Sequence, residues 1–419
     1  MENDIPTKKR RLMLSLLTVM IGLIAGLLIC EIGLRIAGYS YPEFYSANEK
    51  LGYSLIPSMT GQYQKEGRSS VVINSDGFRD DEHTIQKPDN VFRIAVIGDS
   101  YAEAFQVEQE QAFWKVMEGN LARCGGFQER KVEVLNFGVS GYGTAQELIT
   151  LREKVWKYQP DLVLLAVTTN NDITDNSKLF KKAPIPYFEL RDGRLELDES
   201  FRETSAFKVR NSIGFVGTWL SNHLRFVQAI RRGLVAAKNW RDSRKSVEPT
   251  QSNDANNTSA VKSSETIPQT GDIGIDNAIY IETLDEKWAL AWRVSEELIS
   301  MMNTEVRAKG AEFLVVTLSN GVQVWPDPEV RTAYARKIGA KDLLYPDRRI
   351  ETYCKNRGIN VLSLAPKLTA YAAANQVFLH GFDADIGNGH WNANGHRVAG
   401  EMLSEYVCSM SANKADQRR

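Results

Sequence analysis

Histidine is scarce in this chain. Five occur in 419 residues, and three of them (His380, His390 and His396) lie near the C-terminus. A general base with a near-neutral pKa therefore has few candidates. Cysteine is scarce too: there are four and no CxxC pair, so a zinc cluster has no support. Cys30 falls inside an apolar run. Cys124, Cys354 and Cys408 remain, enough for one disulfide in an oxidising compartment, and spacing does not choose the pair. Charge of one sign is also missing. With 51 Lys and Arg against 52 Asp and Glu, the net charge of -1 gives no reason to expect a nucleic-acid partner. No internal repeat is present.

One long hydrophobic run stands out. Lys8 to Arg11 is a basic cluster, and Leu12 to Cys30 follows without a charge, close to the length a bilayer core asks of a helix. A cleavable signal peptide has a shorter apolar core and a small-x-small site, and none follows Gly26. Bulky Ile29 before Cys30 disfavours lipoprotein processing. The run is read as a single-pass membrane anchor with its basic end in the cytoplasm, which places the chain after about Gly38 in the periplasm or cell exterior.

The remaining chain alternates strand-like and helix-like segments. Apolar runs at Phe92–Ile97, Lys131–Leu135, Leu162–Val167, Ala311–Leu318 and Ile359–Leu362 read as strands. Helical patterns at Val107–Leu121, Thr144–Tyr158 and Leu284–Ala308 lie between them. The expected fold class is α/β, a flavodoxin-like three-layer sandwich with a parallel five-stranded sheet, preceded by one N-terminal transmembrane helix. The expected organisation is a cytoplasmic tail (1–11), the anchor (12–37), a lead-in (38–89), a core (90–180 and 280–408), an insertion (181–279) and a tail (409–419). Within the lead-in, Ser70–Asn74 is strand-like, and Arg79 of Gly77-Phe-Arg79 is expected to be structural rather than to line a cleft. Within the insertion, the alternation from Tyr187 to Leu197 around Asp192-Gly193 predicts a hairpin. Phe207–Leu234 reads as helical. Arg241 to about Asp276 is too poor in apolar residues to order itself.

Chemistry concentrates at the strand ends. The run Phe92–Ile97 stops at Gly98-Asp99-Ser100, and in an open α/β sheet ligands bind beyond the carboxyl ends of the strands. Asn136-Phe-Gly-Val-Ser-Gly141 follows the second strand, and Thr169-Asn-Asn-Asp172 follows the third. Gly389-His-Trp-Asn-Ala-Asn-Gly-His396 follows the fifth. These four blocks in this order resemble the SGNH (GDSL-like) hydrolase superfamily of esterases and acyltransferases. The anchored N-terminus is similar to bacterial members associated with cell-surface polysaccharide modification.

The resemblance implies Ser100 as nucleophile, His390 as base, and Ser100, Gly141 and Asn171 as oxyanion-hole donors. Gly138 or Gly143 could take the place of Gly141, and Asn170 that of Asn171. The pattern usually has an aspartate three residues before the histidine, where this chain has Gly387. Asp383 and Asp385 are the nearest carboxylates that could orient His390. His396 is expected to pack or cap the last helix. His380, His390, Asp383 and Asp385 show no recognised metal-ligand spacing, so neither a metal nor another cofactor is expected.

Two functions compete at this point. One is a membrane-anchored serine esterase or O-acyltransferase acting on acyl, chiefly acetyl, esters of an exported or cell-surface glycan. The other is a catalytically inactive glycan-binding or assembly component of the same fold. The second is motivated by Gly387 and Thr169, and by Tyr101, Tyr142 and Trp391 as candidate sugar-stacking aromatics.

Overall fold

The computed structural model describes residues 7–127, 130–245, 275–282 and 285–417. Most of the serine- and asparagine-rich stretch expected to lack order, residues 246–274, lies outside the described residues; Arg241–Lys245 and Ile275–Ala278 at its ends are helical. The chain divides into two compact units. One comprises residues 1–43 with 213–263, and the other holds the rest.

The larger unit is built on a five-stranded parallel sheet. In chain order its strands are β5 (Val91–Gly98), β6 (Lys131–Asn136), β7 (Leu162–Val167), β10 (Glu312–Thr317) and β11 (Asn360–Ser363). They are arranged β6-β5-β7-β10-β11, which is the 2-1-3-4-5 order of flavodoxin-like doubly wound folds. The interior strands are almost continuously apolar because both faces are covered. On one face Ile97, Val163, Leu165 and Val315 pack with helices Thr144–Glu153, Glu286–Ala308 and Tyr345–Asn356. On the other face Val96, Leu164, Ala166 and Val316 pack with helices Phe113–Leu121, Ala365–Asn375 and Ala393–Gln417. Asp285 starts the long helix Glu286–Ala308 by accepting the N–H groups of Lys287 and Trp288.

The helix expected at Val107–Leu121 is shorter than its apolar periodicity suggested. After Ser100–Glu103, Ala104 adopts a left-handed conformation, and Ala112 is extended, so regular helix resumes only at Phe113. The interrupted segment lets Arg79, fully buried, donate to the carbonyl oxygens of Ala104 and Val107 (2.6 Å to the latter). Arg79 is thus structural, satisfying carbonyls that a continuous helix would have paired.

The lead-in is ordered as two small hairpins. β1 (Tyr45–Asn48) pairs with β2 (Gly52–Leu55), and β3 (Thr60–Tyr63) pairs with β4 (Ser69–Val72). The hairpin β8 (Tyr187–Arg191) and β9 (Arg194–Asp198) forms as its sequence pattern indicated. Asp192 and Gly193 both have positive φ, as a two-residue type I′ turn requires. Cys124, beyond the helix Phe113–Leu121, is disulfide-bonded to Cys408 in the C-terminal helix, while Cys354 is buried and free.

In the smaller unit, Thr7–Ile36 is a helix, and Lys9–Ile36 is long and apolar enough to cross a membrane. The stretch read as one helix from Phe207 to Leu234 is two, Ser205–His223 and Arg225–Lys245.

Candidate active site

The order β6-β5-β7 reverses direction at β5, and a crevice opens between the carboxyl ends of β5 and β7 at such a point. Ser100 sits at the first turn of the short helix leaving β5. Asp99 caps that helix by accepting the Tyr101 N–H at 3.0 Å. The same carboxylate accepts the Thr168 hydroxyl (3.0 Å) and the Asn171 side-chain amide (3.2 Å), both from the segment after β7. Asp99 therefore ties the two strand ends together and holds the Asn171 amide at the turn that carries Ser100. Asn170 does not share this arrangement; its buried side-chain oxygen has no partner among the described residues.

Gly141 lies on the loop after β6 with φ of +76°, a conformation that disfavours a side chain, and a Cβ there would stand 2.7 Å from the Tyr53 hydroxyl. The loop is pinned from both sides. Tyr53 donates to the Ser140 carbonyl (2.8 Å), and the Ser140 N–H donates to Glu103 (3.1 Å). Burial pushes the Glu103 carboxyl up to about 7 against the bonds it accepts from Ser140 and Tyr45. Gly138 instead packs against Ala102, and Gly143 is the N-cap of the next helix. Of the three candidate glycines, Gly141 is the one whose backbone conformation and loop contacts set it apart.

His390 lies 290 residues from Ser100 in sequence, yet its Nε2 is 2.8 Å from the Ser100 hydroxyl oxygen. Its Nδ1 is 2.6 Å from a carboxylate oxygen, and that carboxylate belongs to Glu66. The second Glu66 oxygen accepts the His390 backbone N–H at 2.7 Å. Since a carboxylate only accepts, Nδ1 carries the proton and Nε2 is left to accept from the serine. Burial pushes the imidazole down, but Glu66 foremost, with Asp99 and Glu103 behind it, pulls its pKa above the ordinary value. Burial likewise raises Glu66, and its bonds to His390 outweigh this and hold it below the usual carboxylate range.

Asp383 and Asp385, the carboxylates expected to orient His390, do not do so. Both ring nitrogens are already taken, and Asp385 accepts the Asn388 amide instead (2.9 Å). The reason is steric and local. Gly387, where an aspartate would stand, has φ of +92°, and a Cβ there would lie 2.3 Å from the Trp325 ring. Gly389 has φ of +67°, and the place of its Cβ is filled by Glu66 Oε1 at 2.3 Å. The loop that lacks the acid is shaped to receive one from elsewhere. That acid comes from the tip of the β3–β4 hairpin, where Gly67, also left-handed, lets the chain pass against the Gln106 carbonyl.

The other two C-terminal histidines are structural. His380 is buried, with Nδ1 2.8 Å from the Gly389 carbonyl and Nε2 3.0 Å from the Ser319 hydroxyl, and burial lowers it to about 4. His396 accepts the Phe113 N–H and stacks on the Phe113 ring. Tyr142 and Trp391 are almost fully buried and Tyr101 nearly so, so these aromatics do not present faces to a sugar. Tyr101 packs beside the His390 ring and Trp391 against Tyr101, which makes them walls for the histidine.

No family model matches the chain, and no curated protein does. Several solved structures are similar to it. One is an acetyl xylan esterase, 10% identical, matched over 75% of this chain and all of that one, with a TM-score of 0.37. A putative lipolytic protein of the G-D-S-L family from Desulfitobacterium hafniense is 12% identical over 75% of this chain and 98% of its own, with a TM-score of 0.33. A two-domain esterase active on acetylated mannans is 10% identical over 77% of this chain and 50% of that one, with a TM-score of 0.35.

Proposed function

We propose that this chain is a membrane-tethered serine esterase or O-acyltransferase of the SGNH type, acting on small acyl esters, chiefly acetyl, of a glycan outside the cytoplasmic membrane. The observation that carries this reading is the hydrogen-bonded series Ser100–His390–Glu66, at 2.8 and 2.6 Å. A serine hydroxyl is a weak nucleophile until a base takes its proton in the attack. Here Nε2 takes it, and Glu66 stabilises the imidazolium that results while remaining ionised.

Attack of the Ser100 oxygen on the ester carbonyl places negative charge on the carbonyl oxygen. The Ser100 N–H, unpaired within its helix because it heads the first turn, would receive that charge together with the Gly141 N–H and the Asn171 amide. Collapse expels the alcohol, which takes the proton from His390 and leaves an acyl-serine. Water, or a sugar hydroxyl, then gives its proton to Nε2 and attacks the acyl carbon, restoring Ser100.

Two features support the compartment. Helix Lys9–Ile36 opens on the basic cluster Lys8 to Arg11, an end that stays cytoplasmic. The Cys124–Cys408 disulfide belongs to an oxidising environment. The test is mapped fluorophosphonate labelling together with hydrolysis of an activated acetate ester. Wild-type protein labels at Ser100 and hydrolyses the ester. Ser100→Ala loses both, a rate loss of about four powers of ten or more. Full activity in that variant would overturn the assignment. Turnover with and without an acetyl-accepting oligosaccharide separates transfer from hydrolysis.

A further inference from the structure

The smaller unit carries an element that ester hydrolysis does not use. Helix Arg225–Lys245 holds seven cations against a single acid, Asp242. Phe226, Ile230, Leu234 and Ala237 recur at helical spacing and form one apolar stripe, whereas Arg231, Arg232 and Lys238 lie off it. Among the described residues of the unit, nothing covers that stripe beyond its first turns: every residue from Ile230 to Lys238 is exposed, Leu234 at 66%. The preceding helix adds Phe215 (76% exposed) and Trp219 (50%). Most of a helix's stability in a protein comes from packing its apolar face, so an apolar stripe left exposed marks a docking face.

What covers it follows from where it is fastened. The turn joining the two helices is held at the outer end of Thr7–Ile36. Glu31 accepts the Phe226 N–H (3.1 Å), and Arg35 donates to the His223 carbonyl (2.7 Å). Gln228 accepts the Tyr41 N–H (2.7 Å), and Arg232 stacks on the Tyr41 ring. The stripe therefore starts within a turn or two of the last apolar residues of the anchor, Ile32 and Ile36. Beside the stripe Arg231 pairs with Glu43 (2.7 Å), and farther along the helix Lys238 and Arg241 are accompanied by a single acid, Asp242, a balance that suits a negatively charged headgroup layer and not an apolar protein groove.

We propose that the helix pair 213–245 docks in the plane of the membrane surface from which the anchor emerges, its apolar side sunk among the acyl chains and its cations on anionic phospholipid headgroups. This rests on reading Lys9–Ile36 as a membrane span. Retention of the full chain in the membrane at alkaline pH reports on the span independently. The test labels the full chain with an environment-sensitive fluorophore at Leu234→Cys, in a Cys30→Ser background. The protein is reconstituted in phosphatidylcholine vesicles with and without phosphatidylglycerol.

A blue-shifted label in the phosphatidylglycerol vesicles is expected, quenched more by lipid spin-labelled near the headgroup than near the chain end. Quenching should fall at least twofold without phosphatidylglycerol, or in Lys238→Glu/Arg241→Glu, two exposed cations; Arg231 is left in place because it pairs with Glu43. A label that stays in water in both vesicles would overturn the proposal. So would a blue-shifted label that neither lipid quenches, because a protein surface would then be its cover. Equal quenching in both vesicles would overturn recognition of the anionic headgroup.

Discussion

Ser100 and Glu66 stand at opposite ends of one hydrogen-bonded series, and they are held by different means. Ser100 rides on an interior strand of the sheet, flanked by β6 and β7, in a turn whose capping carboxylate also binds the neighbouring strand end. Glu66 rides on a hairpin of two four-residue strands, a unit with little stability of its own. The hairpin is fixed from outside: the Ser69 hydroxyl donates to the Phe105 carbonyl, and Glu108 accepts the Ser70 N–H. Ser100 is thus positioned by the core, whereas Glu66 depends on docking. Damage to the first should abolish chemistry, and damage to the second should weaken and re-tune it.

The largest effect after loss of Ser100 itself is expected from Glu66→Gln. Its amide can hold the ring but favours the wrong tautomer and cannot stabilise the imidazolium, so kcat should fall by about three to four powers of ten. The residual activity carries a second signature. Because Glu66 raises the His390 pKa, wild-type kcat/KM should fall as pH drops through a value above the ordinary 6.5, where the base becomes protonated. In Glu66→Gln this limb should move to lower pH. An unmoved limb would mean that the carboxylate does not act through the imidazole.

A smaller loss, about two to three powers of ten in kcat, is expected from Asn171→Ala, read with an activated acetate ester. Asn170→Ala should fall well short of that, since its amide does not share the Asp99 bond. Cys408→Ser acts on the scaffold alone. With the paired cysteines 284 positions apart, unfolding by urea should show a loss of about 2–5 kcal/mol, with kcat unchanged at 25 °C. Smallest of all should be Asp385→Ala. It gives up only the Asn388 bond at an exposed turn and should leave kcat within about twofold.

The same contrast explains what could be read in advance. Strand ends announce themselves, because a buried parallel strand is an unbroken apolar run and the turn after it needs small or polar residues. The blocks that hold Ser100, Gly141 and Asn171 stand out in the sequence for that reason, as does the hairpin at Asp192-Gly193. Glu66 was not. Its hairpin leaves a weak alternating trace, and no local pattern says that the tip lands on a residue 324 positions away. A clue did exist in Gly387 and Gly389, two glycines crowding the place where a carboxylate was missing. Their absent side chains mark a cavity to be filled from outside, a signal that becomes specific only once Trp325 and Glu66 are seen against them. The broken helix after Ser100 escaped notice for a similar reason: its apolar spacing is regular, and buried Arg79, distant in sequence, takes up the freed carbonyls.

Anyone trimming this protein to its doubly wound sheet and helices, from about residue 90 onward, would discard the hairpin as a leader. The shortened chain would keep its sheet, its serine and its histidine, yet its imidazole would swing without a counter-ion. Expression boundaries for the larger unit therefore belong upstream of Phe44, its first residue.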